Sequence, residues 1–346
     1  MVGSFRGGSG RRQCAERRLG PRIGAALASW ALASGGAHAE VAHPIFVLNS
    51  LDATISVIDR ATLAERERIP TGKEPHHLYL TPDEKSLIVA NALSDTLTFV
   101  DPASGAVQRT LRSIADPYQL RFSPDMRWFI TAGNRLDHVD LYRWQPADTQ
   151  QPLQLVRRFE APRTPSHLMI DRRSTVAYVS LQGSDQVLAL DLATQSVRWK
   201  APVGKLPADL FLTPDDRTLL VALTGDRYVE AYDVSGPMPR LVKRIPTGDG
   251  AHAFRSRGDG RHVFVSNRVA GTISQIDLQT LAVVAEYPAP GGPDCMDLLA
   301  DGRTLLVTSR WARKLTLVDT TSRQVVRQVA VGRSPHGVWT LDHAPR

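Results

Sequence analysis

The chain has 346 residues, 42% of them hydrophobic and 22% charged, with 25 Gly, 23 Pro, only 2 Cys and a net charge of +7. This composition excludes a disordered chain, a coiled coil and a disulfide-stapled mini-domain. The basic charge points to nucleic acid only until it is located.

Residues 1–39 carry six Arg and one Glu, then an apolar run from Ile23 to Ala33, then small residues ending in Ala37-His38-Ala39. A basic segment, a short apolar segment and an A-x-A site are the three parts of a secretory signal peptide. The expectation is cleavage after Ala39 and a periplasmic mature protein. Eleven apolar residues are too few for a transmembrane helix, which needs about 20. No later run is long enough either, so no transmembrane anchor is expected. Without residues 1–39 the net charge falls from +7 to +2, which removes most of the case for nucleic acid. Cys14 leaves with that segment, so Cys295 stands alone and no intramolecular disulfide is expected.

From residue 40 to 346 one phrase recurs: a Gly/Pro loop, an alternating apolar segment, a Pro-Asp type turn, a β-rich run, a polar turn and a strand ending in Asp. It begins at Pro75, Pro117, Pro165, Pro207, Gly250, Pro293 and Pro335, at spacings of 42, 48, 42, 43, 43 and 42 residues. The stretched second interval reads as a longer surface loop over residues 145–155. Each unit divides into four short strands, predicted in the unit from Pro75 at about 77–81, 87–91, 96–101 and 106–112. No stretch sustains a helical apolar period, so helix is nearly absent. Four strands per unit at this period is the spacing of a β-propeller.

The two ends complement each other. Residues 45–49, 54–59 and 64–70 read as second, third and fourth strands without a first, and residues 335–341 read as a first strand without followers. Six complete units and one split unit predict a seven-bladed, all-β propeller of four-stranded blades. Pairing of the C-terminal strand with the N-terminal strands closes it and hides the sheet edges.

The segments Ile45-Phe-Val-Leu-Asn49, Leu87-Ile-Val-Ala-Asn91, Ala177-Tyr-Val-Ser180 and Val263-Phe-Val-Ser-Asn267 resemble the second-strand signature of bacterial YVTN-repeat propellers. The resemblance covers about residues 43–341 and is closest to the YncE-like periplasmic type, a relative of the haem d1 propeller of cytochrome cd1 nitrite reductase. It implies the fold. It leaves the chemistry open, because such propellers include binding proteins, cofactor carriers and enzymes.

In such a propeller the first strand of each blade lines the channel, so the two residues after each loop proline, or after Gly250, occupy rim positions. They are His76-His77, Tyr118-Gln119, Ser166-His167, Ala208-Asp209, Ala251-His252, Asp294-Cys295 and His336-Gly337. Five of the nine histidines beyond residue 39 fall in these fourteen positions, far more than random placement would give. One reading is structural: imidazoles copied by repeat ancestry fill a narrowing channel. The other is that His76, His77, His167, His252 and His336, with Asp209 and Cys295, face a ligand. A transition metal held by His76, His167, His252, His336 and a soft Cys295 thiolate, copper or zinc, is one form of it. Because these residues come from different blades of an open mouth, a large planar, haem-type tetrapyrrole suits the expected spacing better than one ion. On the loops of the same face, Arg268 and the run Arg310-Trp311-Ala312-Arg313 are candidate ligand contacts, the latter as a guanidinium–indole clamp for a carboxylated ring.

Several signatures are absent: a C-x-x-C-H site for covalent haem c, a G-x-S-x-G elbow, a P-loop, H-E-x-x-H and a helix-opening G-x-G-x-x-G. Six Trp without one per blade argue against a quinoprotein. The expectation is a secreted, monomeric binding or accessory propeller with a small ligand or a periplasmic protein partner. The alternatives are a rim-site enzyme, either a lactone hydrolase or a redox factor, and a single-stranded nucleic-acid binder, which would need a basic, aromatic mouth.

Overall fold

In the computed structural model, which describes residues 42–346 and Gly3, each repeat unit is one antiparallel four-stranded sheet. The signal-peptide and cleavage reading otherwise lies outside the described residues. Seven sheets form a ring of blades, and the only helices among the described residues are two 3-10 turns, Ala92–Ser94 and Gln182–Ser184. Blades are numbered here from the split one. Blade 2 consists of Pro75–Leu80, Leu87–Asn91, Thr96–Val100 and Val107–Arg112. The predicted strands are therefore present, with the inner one starting two residues early, at its proline. Proline is tolerated at a first strand position because its missing N–H breaks no ladder there.

Blade 1 is the split blade. Its inner strand Pro335–Thr340 pairs antiparallel with Ile45–Asn49, opposing Ile45 to Thr340, Phe46 to Trp339 and Val47 to Val338. Thr54–Ile58 and Glu65–Pro70 complete it. The long loop in blade 3 is residues 145–152, shorter than expected because the outer strand Leu153–Glu160 already begins at Leu153.

The core lies between blades. Ile88, Ala90 and Phe99 of blade 2 pack on Phe122, Phe129 and Tyr142 of blade 3, and the other junctions follow suit. Second strands are covered on both faces, which is why Ile45–Asn49 and Leu87–Asn91 are buried along their whole length and read as continuous apolar runs. Outer strands such as Glu65–Pro70 face solvent and carry charge. The Asn that ends several second strands ties them to the third: Asn91 Nδ2 donates to Thr96 Oγ1 at 3.1 Å and Thr98 Oγ1 at 2.9 Å. Asn49 and Asn267 repeat this with Thr54 and Ser56, and with Thr272 and Ser274. A Cβ on Gly72 would lie 2.7 Å from Asn91 Cβ, so the loop entering blade 2 needs glycine over that Asn.

Candidate functional site

The inner strand breaks its register just after its first residue. In blades 2, 4, 5, 6 and 7 the pairing shifts between Pro75 and Leu78, Pro165 and Leu168, Pro207 and Leu210, Ala251 and Phe254, and Pro293 and Met296. A bulge re-aims side chains that strict alternation would send to opposite faces. Here it lets two consecutive residues, such as His76 and His77, take part in one group.

That group is a compact plug near the start of the inner strands. The rings of His76 and His336 lie 3.6 Å apart, His76 and Tyr118 3.9 Å, and His76 and His77 4.8 Å. His77 meets His167 at 5.2 Å, and His167 meets His252 at 5.6 Å. His76, His167, His252 and His336 are buried. The expectation of an open mouth with widely separated imidazoles is therefore corrected. Bulges and a narrow ring bring the rings into contact.

Asp294 is the anion of the site. Its Oδ1 lies 2.7 Å from Arg268 Nη2, 3.0 Å from His252 Nε2 and 3.4 Å from His336 Nε2, and its Oδ2 accepts from Arg310 Nη1 at 3.1 Å. Burial opposes its ionisation, but the surrounding positive groups, Arg268 among them, outweigh that and hold its carboxyl well below the usual range. Burial drives the imidazoles the other way. His76, His167 and His336 titrate well below the ordinary histidine range, His77 at about 3 and His252 at about 4, the last also opposed by Arg268. At neutral pH the cluster is uncharged imidazole around one carboxylate.

The tautomer of His336 follows from its surroundings. Its Nδ1 lies 2.8 Å from the His76 carbonyl, so Nδ1 carries the hydrogen and donates it. The lone pair is then on Nε2, which faces Asp294 Oδ1 at 3.4 Å. Two acceptors face one another with no hydrogen between them. His76 Nδ1, His77 Nε2, His167 Nε2 and His336 Nε2 are all buried without a hydrogen-bond partner. Two sets of ligand atoms lie within 4.8 Å of one another, His76/His77/His336 and His252/Asp294/His336. Ligand atoms on one zinc ion lie about 3.4 Å apart, so a small inward movement would close either set, and His336 belongs to both. A histidine that donates from one nitrogen to a backbone carbonyl while offering the other is the usual arrangement of a metal ligand.

The remaining candidates are placed differently. His167 is in the plug but in neither ligand set. The Cys295 sulfur lies 3.4 Å from His336 Nδ1, and burial with the nearby Asp294 charge pushes its thiol well above the ordinary range. Asp209 does not join the plug contacts. Its Oδ2 accepts from Phe254 N at 2.8 Å and its Oδ1 from Leu210 N at 2.9 Å, which latches blade 5 to blade 6. Burial raises its carboxyl to about 6. Arg268 and Arg310 turn inward onto Asp294, whereas Trp311 is 59% exposed and Arg313 is exposed at φ 56°. The expected clamp is thus split, since the inner carboxylate takes Arg310. Asp294 and Tyr118 occupied rim positions without being singled out. The signal was available for Asp294, which with Asp209 is one of two acids among the rim positions.

No curated protein matches the chain. Among solved structures it is similar to a functionally unknown protein from Desulfotomaculum acetoxidans DSM 771, at TM-score 0.74 and 15% identity over 88% of this chain and 99% of that one. The periplasmic gluconolactonase PpgL of Pseudomonas aeruginosa gives TM-score 0.71 and 20% identity over 86% and 98%. The dihydro-haem d1 dehydrogenase NirN gives 0.65 and 15% over 86% and 75%. At these identities the likeness is one of fold. The family model for YncE-like beta-propellers matches residues 13–346, and with seven four-stranded blades closed by Pro335–Thr340, the chain belongs to the YncE-like β-propellers.

Proposed function

We propose that this chain is a periplasmic transition-metal-binding propeller, acting as a carrier or accessory protein. The ion would sit against His336 Nε2, with further ligands drawn from His76 and His77 or from His252 and Asp294. The observation that carries the reading is the bare, buried Nε2 of His336 opposite the Asp294 carboxylate, a pairing that a cation would turn from repulsive to attractive. Imidazole nitrogen with one carboxylate suits zinc or copper. Export rests on the signal-like residues 1–39. The lactone-hydrolase alternative draws on the fold neighbours alone.

The test is metal titration into chelator-treated protein, read by calorimetry and elemental analysis. One zinc or copper ion per chain is expected, and His336→Gln should weaken binding by at least tenfold without loss of the folded signal. Absence of stoichiometric metal, or equal binding by the variant, would reject the proposal.

A further inference from the structure

Beyond the histidine plug, toward the turns that join inner to second strands, the channel widens into a cavity of about 220 Å³. Its walls include Tyr79, Met169, Phe211 and Phe254, and its polar lining includes Arg121 and Asp209. The buried, unpartnered Nε2 atoms of His77 and His167 belong to residues that line it too. Apolar side chains set beside convergent polar and charged groups give a small molecule both a body pocket and an anchor. The volume is below the range of roughly 300–1,000 Å³ common for drug-sized ligands, so the occupant is small.

Three arginines reach this space, and two are already committed. Arg255 Nε bonds Asp297 Oδ1 at 2.9 Å, and Arg346 Nη2 bonds Asp297 Oδ2 at 2.8 Å. Arg121 has no ion-pair partner within 4.0 Å among the described residues, and its Nε is buried and unpartnered. A half-buried guanidinium with a free N–H edge, 5.9 Å from the Tyr79 ring centroid, is a receptor for a carboxylate, which it can meet with two parallel hydrogen bonds. Asp209, whose oxygens accept from the backbone N–H groups of Phe254 and Leu210, makes no ion pair with Arg121 within 4.0 Å. One guanidinium can meet one carboxylate, and the Asp209 charge repels the further carboxylate of a dicarboxylate.

We infer that this cavity, which shares His77 and His167 with the histidine plug, is a second binding site, distinct from the proposed metal position at His336, for a small monocarboxylate with an apolar or aromatic body. The carboxylate meets Arg121, and the body lies among Tyr79, Met169, Phe211 and Phe254. Arg121 forms no bond that its replacement would break, so Arg121→Gln keeps the fold.

The probe is benzoate, titrated calorimetrically into chelator-treated protein with a thermal melt of each variant. The expected result is one benzoate per chain, about tenfold or more weaker in Arg121→Gln, with terephthalate binding less well than benzoate. In His336→Gln, where the proposed metal site is lost, benzoate binding should persist. No benzoate binding at millimolar concentration, unchanged binding in Arg121→Gln, or preference for terephthalate would overturn the inference. Loss of benzoate binding in His336→Gln alone would overturn the separateness of the two sites while leaving the metal reading to its own test.

Discussion

Single residues in this propeller take their roles from the bulge at the head of most inner strands. Because the bulge turns His76 and His77 into one group, the imidazoles are buried on the axis rather than exposed at a rim, and they become stability determinants. A base whose pKa is lowered by folding binds fewer protons folded than unfolded, so stability falls as pH drops below the unfolded value. For His252 that window runs from 6.5 down to about 4, and for His77 from 6.5 down to about 3. Each costs about 1.4 kcal/mol per pH unit across its window. Asp209 acts in the opposite sense. Raised from 3.8 to about 6, it keeps in the folded state a proton that the unfolded state has lost, and offsets about one histidine between those values. The expected result is a melting temperature of the metal-free protein that declines from pH 6.5 toward 4, with a shallower slope in His77→Gln. Melts across a pH series check this, and a flat profile between pH 6.5 and 5 would mean that the imidazoles are not held neutral by burial.

Among the elements, the inner strand of blade 1 carries the closure. Pro335–Thr340 is buried throughout, and Trp339 stacks on Phe46 at 6.2 Å between ring centroids. Around this joint, His43 N donates to Asp342 Oδ2 at 2.8 Å and Arg60 pairs with the same carboxylate. Removing residues 335–346 exposes the edge of Ile45–Asn49 and opens the ring, so the cooperative thermal transition should be lost. Trp339→Ala keeps the strand and leaves a cavity. It should lower stability by about 3–5 kcal/mol while the transition stays cooperative. Differential scanning calorimetry of both variants separates the two effects, and a truncated protein that melts like the full chain would contradict the role of this strand.

For the whole molecule, charge decides which partners the loop face suits. Its cations are interleaved with acids rather than gathered: Arg135 pairs with Asp95 at 2.9 Å, Arg227 with Asp249 at 2.8 Å, and Arg333 with Asp52. Two more, Arg268 and Arg310, are spent on Asp294. A face of paired charges releases few counterions on contact with phosphate. Protein beginning at Glu40 should therefore bind generic single-stranded DNA weakly, and a modest rise in salt should abolish it. Fluorescence anisotropy over a salt series is the measurement, and tight, salt-tolerant binding would contradict it.

The repeat period, the four-strand division and the complementary ends were legible in the sequence because hairpins and alternation are local. Ile45-Phe-Val-Leu-Asn49 reads as a second strand wherever it stands, and residues 335–341 as its missing neighbour. The histidine excess at rim positions was legible for the same reason, since it counts residues at one point of a repeat. What those residues do was decided by tertiary structure. His76, Tyr118, His167, His252, Asp294 and His336 come from six different blades, and their separation is set by the radius of the closed ring and the bulges. The same closure puts the His336 lone pair, in blade 1, opposite the Asp294 carboxylate of blade 7, while the packing of blade 5 on blade 6 makes Asp209 a latch and the fold of blade 7 turns Arg310 toward Asp294. None of these follows from local sequence, because each depends on which side chains the folded blades and the closed ring bring together.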